Sequence, residues 1–218
     1  KIERMVREVL ADMTDKSTSN PGTVKSGPRA MVVFHNGVCQ LDKALEQVRS
    51  IAKTTRKLSV YRGYSSRSTV SVDEVKSKCA VKCFLDRACL TDLEKVLDHS
   101  DVLILPTFGF PAATKVAGLL CDDIESQIIF SAMMKGKKIL AAVDGYTDPD
   151  ITINSHLQNG IDEIFNKVKT FGIHFCPTVR IRSRFQELVA AGQEHDPVKP
   201  KQKLPKTLPL VTARDITK

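Results

Sequence analysis

An α/β fold, with a parallel sheet covered by helices on both faces, is what this sequence predicts, and three observations predict it. Short apolar runs such as Met31-Val32-Val33-Phe34 and Val102-Leu103-Ile104-Leu105 lack polar alternation, as strands buried on both faces do. Between such runs lie stretches whose apolar residues recur every three or four positions, the period of an amphipathic helix. Gly, Pro, Asn and Ser punctuate the boundaries. Strands alternating with helices imply βαβ units, hence a Rossmann-like, flavodoxin-type three-layer sandwich around a parallel sheet.

The elements follow in order. The core begins at Ala30, with a first strand at Met31 to Phe34 and a helix marked by Leu41, Ala44, Leu45, Val48 and Ile51. Leu58-Ser59-Val60-Tyr61 is a second strand, ended by Arg62-Gly63-Tyr64-Ser65-Ser66, and residues 72 to 98 read as helical with breaks. Val102 to Leu105 forms a strand that runs into a Pro/Gly/aromatic loop and then a long apolar helix carrying the acid pair Asp122 and Asp123. Ile139 to Val143 is the next strand. Leu157, Ile161, Ile164, Phe165 and Val168 mark a helix, Ile173 to Cys176 a strand, and Ile181, Phe185, Leu188 and Val189 a last helix.

Two segments flank this core of residues 30–192. Residues 2–13 carry Ile2, Met5, Val6, Val9, Leu10 and Met13 on one helical stripe, opposite Glu3, Arg4, Arg7, Glu8 and Asp12. A stripe on so short a helix must dock on something to be stable. Residues 14–29, rich in Ser, Thr, Gly, Pro and Lys, are a flexible linker, which favours docking on another protein over folding back. Residues 193–218 form a basic, Pro-rich tail.

Composition narrows the function. The 218 residues, 42% hydrophobic, suffice for one substantial core, and no apolar run reaches the length of a bilayer span. A soluble, cytoplasmic protein without a membrane partner is expected. The first residue is Lys rather than Met, so residue 1 need not be the biological start. The net charge of +8 gathers in peripheral segments, Trp is absent and only three Tyr occur, so stacking platforms for a nucleic acid are lacking. The six cysteines are expected as reduced thiols. Cys79, Cys83 and Cys89 match neither a zinc pair nor a ferredoxin run, so no metal is expected, and Cys79 and Cys83 fall on one face if the stretch is helical.

Candidate binding residues lie where strands end. In an open parallel sheet, ligands sit outside the carboxyl ends of the strands. The first turn, His35-Asn36-Gly37-Val38-Cys39, precedes a helix whose N-terminal amides suit a phosphate. No Gly-x-Gly-x-x-Gly is present, so a dinucleotide is not favoured. Ser65 and Ser66 can add hydroxyls to a phosphate or simply make a polar turn. In the loop Pro106-Thr107-Phe108-Gly109-Phe110, two aromatics at a sheet edge are not expected to be fully buried, so a flat ligand or an oligomer contact would account for them. His35 can bond a phosphate, move a proton, or make a local backbone bond. Asp144 can meet a ligand or cap a turn. No catalytic residue is assigned.

The stretch from Ser100 to Gly145 resembles the homo-oligomeric flavin-containing cysteine decarboxylases, a superfamily that includes phosphopantothenoylcysteine decarboxylase and the flavin prenyltransferases. In that family a Pro-Ala-Thr-Ala-Asn-Thr loop precedes a helix of the form Ala-Lys-x-Ala-x-Gly-x-x-Asp-Asp. Here Thr114-Lys115-Val116-Ala117-Gly118-Leu119-Leu120-Cys121-Asp122-Asp123 keeps the spacing from lysine to acid pair, with Gly118 one place from the family glycine. The resemblance implies FMN as cofactor, Thr107 to Phe110 around it, and a homo-oligomer, a trimer or a multiple of one. Departures bear on activity. Pro111 stands nearest the family asparagine, Ala142-Val143-Asp144-Gly145 replaces a Pro-x-Met-Asn motif, and Leu90-Thr91-Asp92-Leu93 falls where the family's catalytic histidine belongs. An electron-handling role is therefore expected rather than decarboxylation. The alternatives are a divergent decarboxylase or prenyltransferase using His35 and Asp144, and a flavin-free scaffold.

At the amino end, Ile2-Glu3-Arg4-Met5-Val6-Arg7-Glu8-Val9-Leu10 is similar to the encapsulation peptides of bacterial microcompartment cargo, and Leu210 to Ile216 resembles a segment recurring in proteins of such loci. This implies shell or cargo proteins as partners of residues 2–13 and a place inside a microcompartment.

Overall fold

The computed structural model describes residues 27–191 apart from 36, 38, 67–69, 80, 82 and 145–152. The segment 2–13, most of the linker and the tail 193–218 lie outside the described residues. Six strands form one all-parallel sheet: β1 (Arg29–Phe34), β2 (Lys57–Arg62), β3 (Cys83–Leu85), β4 (Val102–Leu105), β5 (Lys138–Ala142) and β6 (Ile173–Cys176), in the order β3-β2-β1-β4-β5-β6. The order reverses between β1 and β4, where Met31 lies opposite Leu103 and Val32 opposite Ile104. That switch point is where an open α/β sheet leaves a crevice.

Alternation along each strand builds two cores, as strand geometry requires. Met31, Val33, Leu103 and Leu105 face one helical layer, and Val32, Phe34, Val60, Ile104 and Leu140 face the other. The second layer holds α1 (Leu41–Ala52), α2 (Val72–Cys79) and α7 (Ile181–Ala190), through Leu45, Val48, Ile51, Val75 and Phe185. The first holds α3 (Leu90–Asp98), α4 (Phe110–Ala117), α5 (Ile124–Met134) and α6 (Ser155–Thr170), through Leu93, Leu97, Ala113, Ile128, Ile129 and Val168. Because Met31 through Phe34 are fully buried, β1 has no solvent face, which is why its sequence shows no alternation. At the amino ends of the strands, Arg29 N–H donates to Asp101 Oδ2 at 2.8 Å, and Asp101 N–H donates to the Arg29 carbonyl at 2.8 Å. Among the described residues, no helix is long and apolar enough to cross a membrane.

Three expectations are corrected. Residues 72–98 contain a strand, β3, between α2 and α3. Three residues in a row, Cys83-Phe84-Leu85, are too short for periodicity to reveal, and only pairing with β2 defines them. Cys79 and Cys83 consequently do not share a helical face: Cys79 is buried on α2, where its thiol donates to the Leu45 carbonyl at 3.4 Å, and Cys83 lies on β3. The long apolar helix is two helices, α4 and α5, and the break falls at Leu119, whose φ of 54° is left-handed. The position that the resembled family fills with glycine is thus held here by a leucine in the conformation glycine tolerates best.

Candidate ligand site at the β1–β4 switch point

The carboxyl ends of β1 and β4 are tied together by one hydroxyl. Thr107 Oγ1 accepts from the His35 N–H at 2.9 Å and donates to the His35 carbonyl at 3.0 Å. Both residues are buried, so the two bonds are shielded from water. This pairing closes the start of the first turn against the loop after β4.

His35 is 4% exposed, and its Nε2 has no hydrogen-bond partner among the described residues. Burial pushes the imidazole down to about 4, against the opposing pull of the Glu125 and Asp123 carboxylates, while Lys115 adds to the lowering. His35 is therefore neutral near pH 7, and either tautomer of its ring can meet a polar ligand atom. Its ring stands edge-on to Phe108, with centroids 6.0 Å apart.

Phe108 is fully buried, which corrects the expectation of an exposed aromatic. The reason is an aromatic cluster that the sequence spreads over three elements: Phe108 lies 6.4 Å from Phe165 on α6 and 6.1 Å from Phe175 on β6, and those two lie 5.6 Å apart. Phe110, the first residue of α4, is half-buried, and Pro111 beside it is exposed. Pro106 and Gly109 are buried within the loop.

Beyond β2, the serines are engaged internally. Ser65 donates from both its N–H and its hydroxyl to Glu125 Oε1, each at 3.0 Å, and the Ser66 hydroxyl donates to the Gly63 carbonyl at 2.9 Å. Glu125 is 2% exposed. Asp144 follows β5, and its Oδ1 accepts from both the N–H and the hydroxyl of Thr178, which caps the 3-10 turn Thr178–Arg180 after β6. Gly37 is buried and Cys39 half-buried ahead of α1, whose N-cap, Gln40, offers no side-chain bond to the first turn. Asn36 and Val38 lie outside the described residues. Thus His35, Thr107 and Phe108 come together; Ser65 and Ser66 gather instead around Glu125 and Gly63, and Asp144 sits with Thr178.

Lys115 bonds both acids of the pair, Asp122 Oδ1 at 2.8 Å and Asp123 Oδ2, so the retained spacing clamps the corner between α4 and α5. Asp123 also caps α5: its Oδ1 accepts from Ser126 N–H at 2.7 Å in a reciprocal capping box. Burial alone would raise the Asp123 carboxyl, but the Lys115 ammonium and the Ser126 donors outweigh it and hold it below its ordinary value.

The chain matches no protein-family model, and no curated protein matches it in sequence. Its fold is that of FMN-dependent flavoproteins. The cysteine decarboxylase TvaF of thioviridamide biosynthesis superposes with a TM-score of 0.60 at 12% identity, over 75% of this chain and 98% of that one. DmrB of Burkholderia xenovorans, a cubic cage for redox transfer solved with FMN, gives 0.60 at 7% identity over 77% and 98%. AnUbiX, solved with FMN and dimethylallyl pyrophosphate, gives 0.55 at 10% over 75% and 93%.

The part that Glu125, Phe165 and Phe175 play around the site escaped the reading of the sequence. For Glu125 a signal existed: it lies three and four residues before Ile128 and Ile129, so an acid stands on the apolar face of its helix. A cavity of about 10 Å³ among Arg29, Lys57, Val96, His99 and Ser100 lies at the opposite, amino ends of the strands and is too small for more than a water.

Proposed function

We propose that this chain is an FMN-binding flavoprotein that handles electrons rather than decarboxylating, with its ring site outside the carboxyl ends of β1 and β4. The observation that carries the proposal is His35: a buried imidazole at the switch point whose Nε2 finds no partner among the described residues. An orphaned buried polar atom costs about 1–3 kcal/mol, and a hydrogen bond from a bound ligand would remove that cost. A flavin offers polar atoms along one edge of an otherwise apolar ring, so the residues present fit it. Bound FMN would supply hydride and single-electron chemistry.

The residues of this chain would act as follows. Neutral His35 gives a hydrogen bond to, or takes one from, the polar edge without adding charge. Thr107 fixes the His35 backbone and so the ring's direction. Phe110, half-buried, offers the apolar wall on the β4 side, backed by the buried Phe108 and Gly109, with Pro106 setting the loop. His35 to Cys39, including Asn36, Gly37 and Val38, lead to the uncapped first turn of α1, whose amides suit the phosphate. Three absences from the decarboxylase pattern, at Pro111, Ala142 to Gly145 and Leu90 to Leu93, favour electron transfer over carbon dioxide release.

The solved relatives include a dodecamer and a cubic cage, and a homo-oligomer is proposed here as well. Residues 2–13, tethered by 14–29, are proposed to dock on microcompartment shell or cargo proteins, which places the chain as cargo. Protein purified without added cofactor, then incubated with FMN and desalted, tests the function. Retained yellow absorbance with no carbon dioxide released from cysteine-ending peptides supports it. Colourless protein after desalting favours the flavin-free scaffold. Deleting residues 2–13 from the full chain should abolish co-sedimentation with shells while leaving flavin retention intact.

A further inference from the structure

We propose that Glu125 is a specificity-determining residue: its carboxylate takes up the Ser65 donors of the turn following β2 and keeps a ligand's phosphate off them. For its ligand the proposal rests on the flavin reading above; for its substance it rests on four contacts. Ser65 N–H and Ser65 Oγ both donate to Glu125 Oε1 at 3.0 Å. The Ser66 hydroxyl is directed at the Gly63 carbonyl at 2.9 Å. Gly63 N–H donates to the Phe34 carbonyl at 3.1 Å, which fixes the turn against β1.

Gly63 makes the arrangement possible. A Cβ at this position would lie 2.3 Å from Glu125 Oε1, 2.5 Å from its Cγ and 2.7 Å from its Cδ, so a side chain there would expel the carboxylate. The acid occupies the place that a ligand oxygen would need, and it brings a negative charge with it. Lys115, a cation that could offset that charge, is already bonded to Asp122 and Asp123. A phosphate brought to this turn would therefore meet a buried carboxylate and two engaged donors. Glu125 is 2% exposed on the same face as the fully buried Ile128 and Ile129, so water screens its carboxylate little.

Glu125→Gln tests this, since it keeps an acceptor for Ser65 and the side-chain volume while removing the charge. FMN and riboflavin, which differ only by the phosphate, are titrated by fluorescence quenching into the wild-type chain and the variant at low salt in phosphate-free buffer. The expected result is about tenfold tighter FMN binding by the variant, with riboflavin unchanged within about twofold and the gain weakened at high salt. FMN and riboflavin shifting by the same factor, or neither shifting, overturns the proposal. If neither flavin binds either protein, the flavin reading fails and inorganic pyrophosphate decides on Glu125. Pyrophosphate raising the melting temperature of the variant but not of the wild type supports it, and an equal effect on both overturns it.

Discussion

The hydroxyl of Thr107 both accepts from and donates to the backbone of His35, joining two strand ends that lie 72 residues apart in sequence. Thr107→Val keeps the shape and removes both bonds, leaving a buried N–H and carbonyl without partners. A loss of about 2–4 kcal/mol is expected in chemical denaturation, whereas Thr107→Ser, which retains the hydroxyl, should lose about 1 kcal/mol. Equal losses for the two would contradict the assigned role of the hydroxyl.

Acid should weaken the fold through His35. The unfolded chain protonates this imidazole near 6.5, and the folded chain resists until about 4. Between those values the unfolded state binds the additional proton, so stability falls as pH falls, is flat above 6.5 and has lost the full amount below 4. The size is about 3 kcal/mol. Denaturant midpoints of the wild type and His35→Leu, compared from pH 8 to pH 4, should separate by that amount in this window. Parallel curves would show that burial does not depress the imidazole.

The corner between α4 and α5 depends unequally on its two acids. Asp123 caps α5 and is two-thirds covered, so Asp123→Ala should cost about 1–2 kcal/mol. Asp122, 63% exposed, meets only Lys115 among the described residues, and Asp122→Ala should cost no more than about 0.5 kcal/mol, screened further by salt. Thermal melts at low and high salt distinguish the two.

Leu119 holds a left-handed backbone with its side chain 55% exposed. Glycine there relieves about 1–2 kcal/mol of backbone cost and gives back about half of it in unfolded-state entropy. Leu119→Gly should therefore stabilise the protein by about 0.5–1 kcal/mol in denaturant titration, and a clear destabilisation would show that the leucine side chain matters at this corner.

The sheet was legible in the sequence wherever burial on both faces wrote continuous apolar runs, as at Met31 to Phe34 and Val102 to Leu105. It was illegible at β3, where three residues carry no period. The site was half legible. His35, Thr107 and Phe108 follow from the rule that ligands meet the strand ends, but partnership does not follow from position. Ser65 donates to a carboxylate 60 residues away, and Phe108 packs on rings from α6 and β6. Such contacts depend on how elements stack, and spacing within one segment carries no trace of them. The break at Leu119 shows the converse: the spacing of lysine and acid pair, legible in the sequence, sets one ammonium against both acids across the corner.

The central claim, that His35 at the β1–β4 switch point contacts a bound FMN, is tested most directly by titrating FMN into the wild type and His35→Leu and following flavin absorbance. Replacing an orphaned polar group by an apolar one should leave stability at pH 7.5 unchanged or slightly raised, so a binding defect cannot be ascribed to unfolding. The account predicts saturable binding by the wild type and at least about tenfold weaker binding by the variant. Equal affinity in the two proteins, or no binding by the wild type, would contradict it.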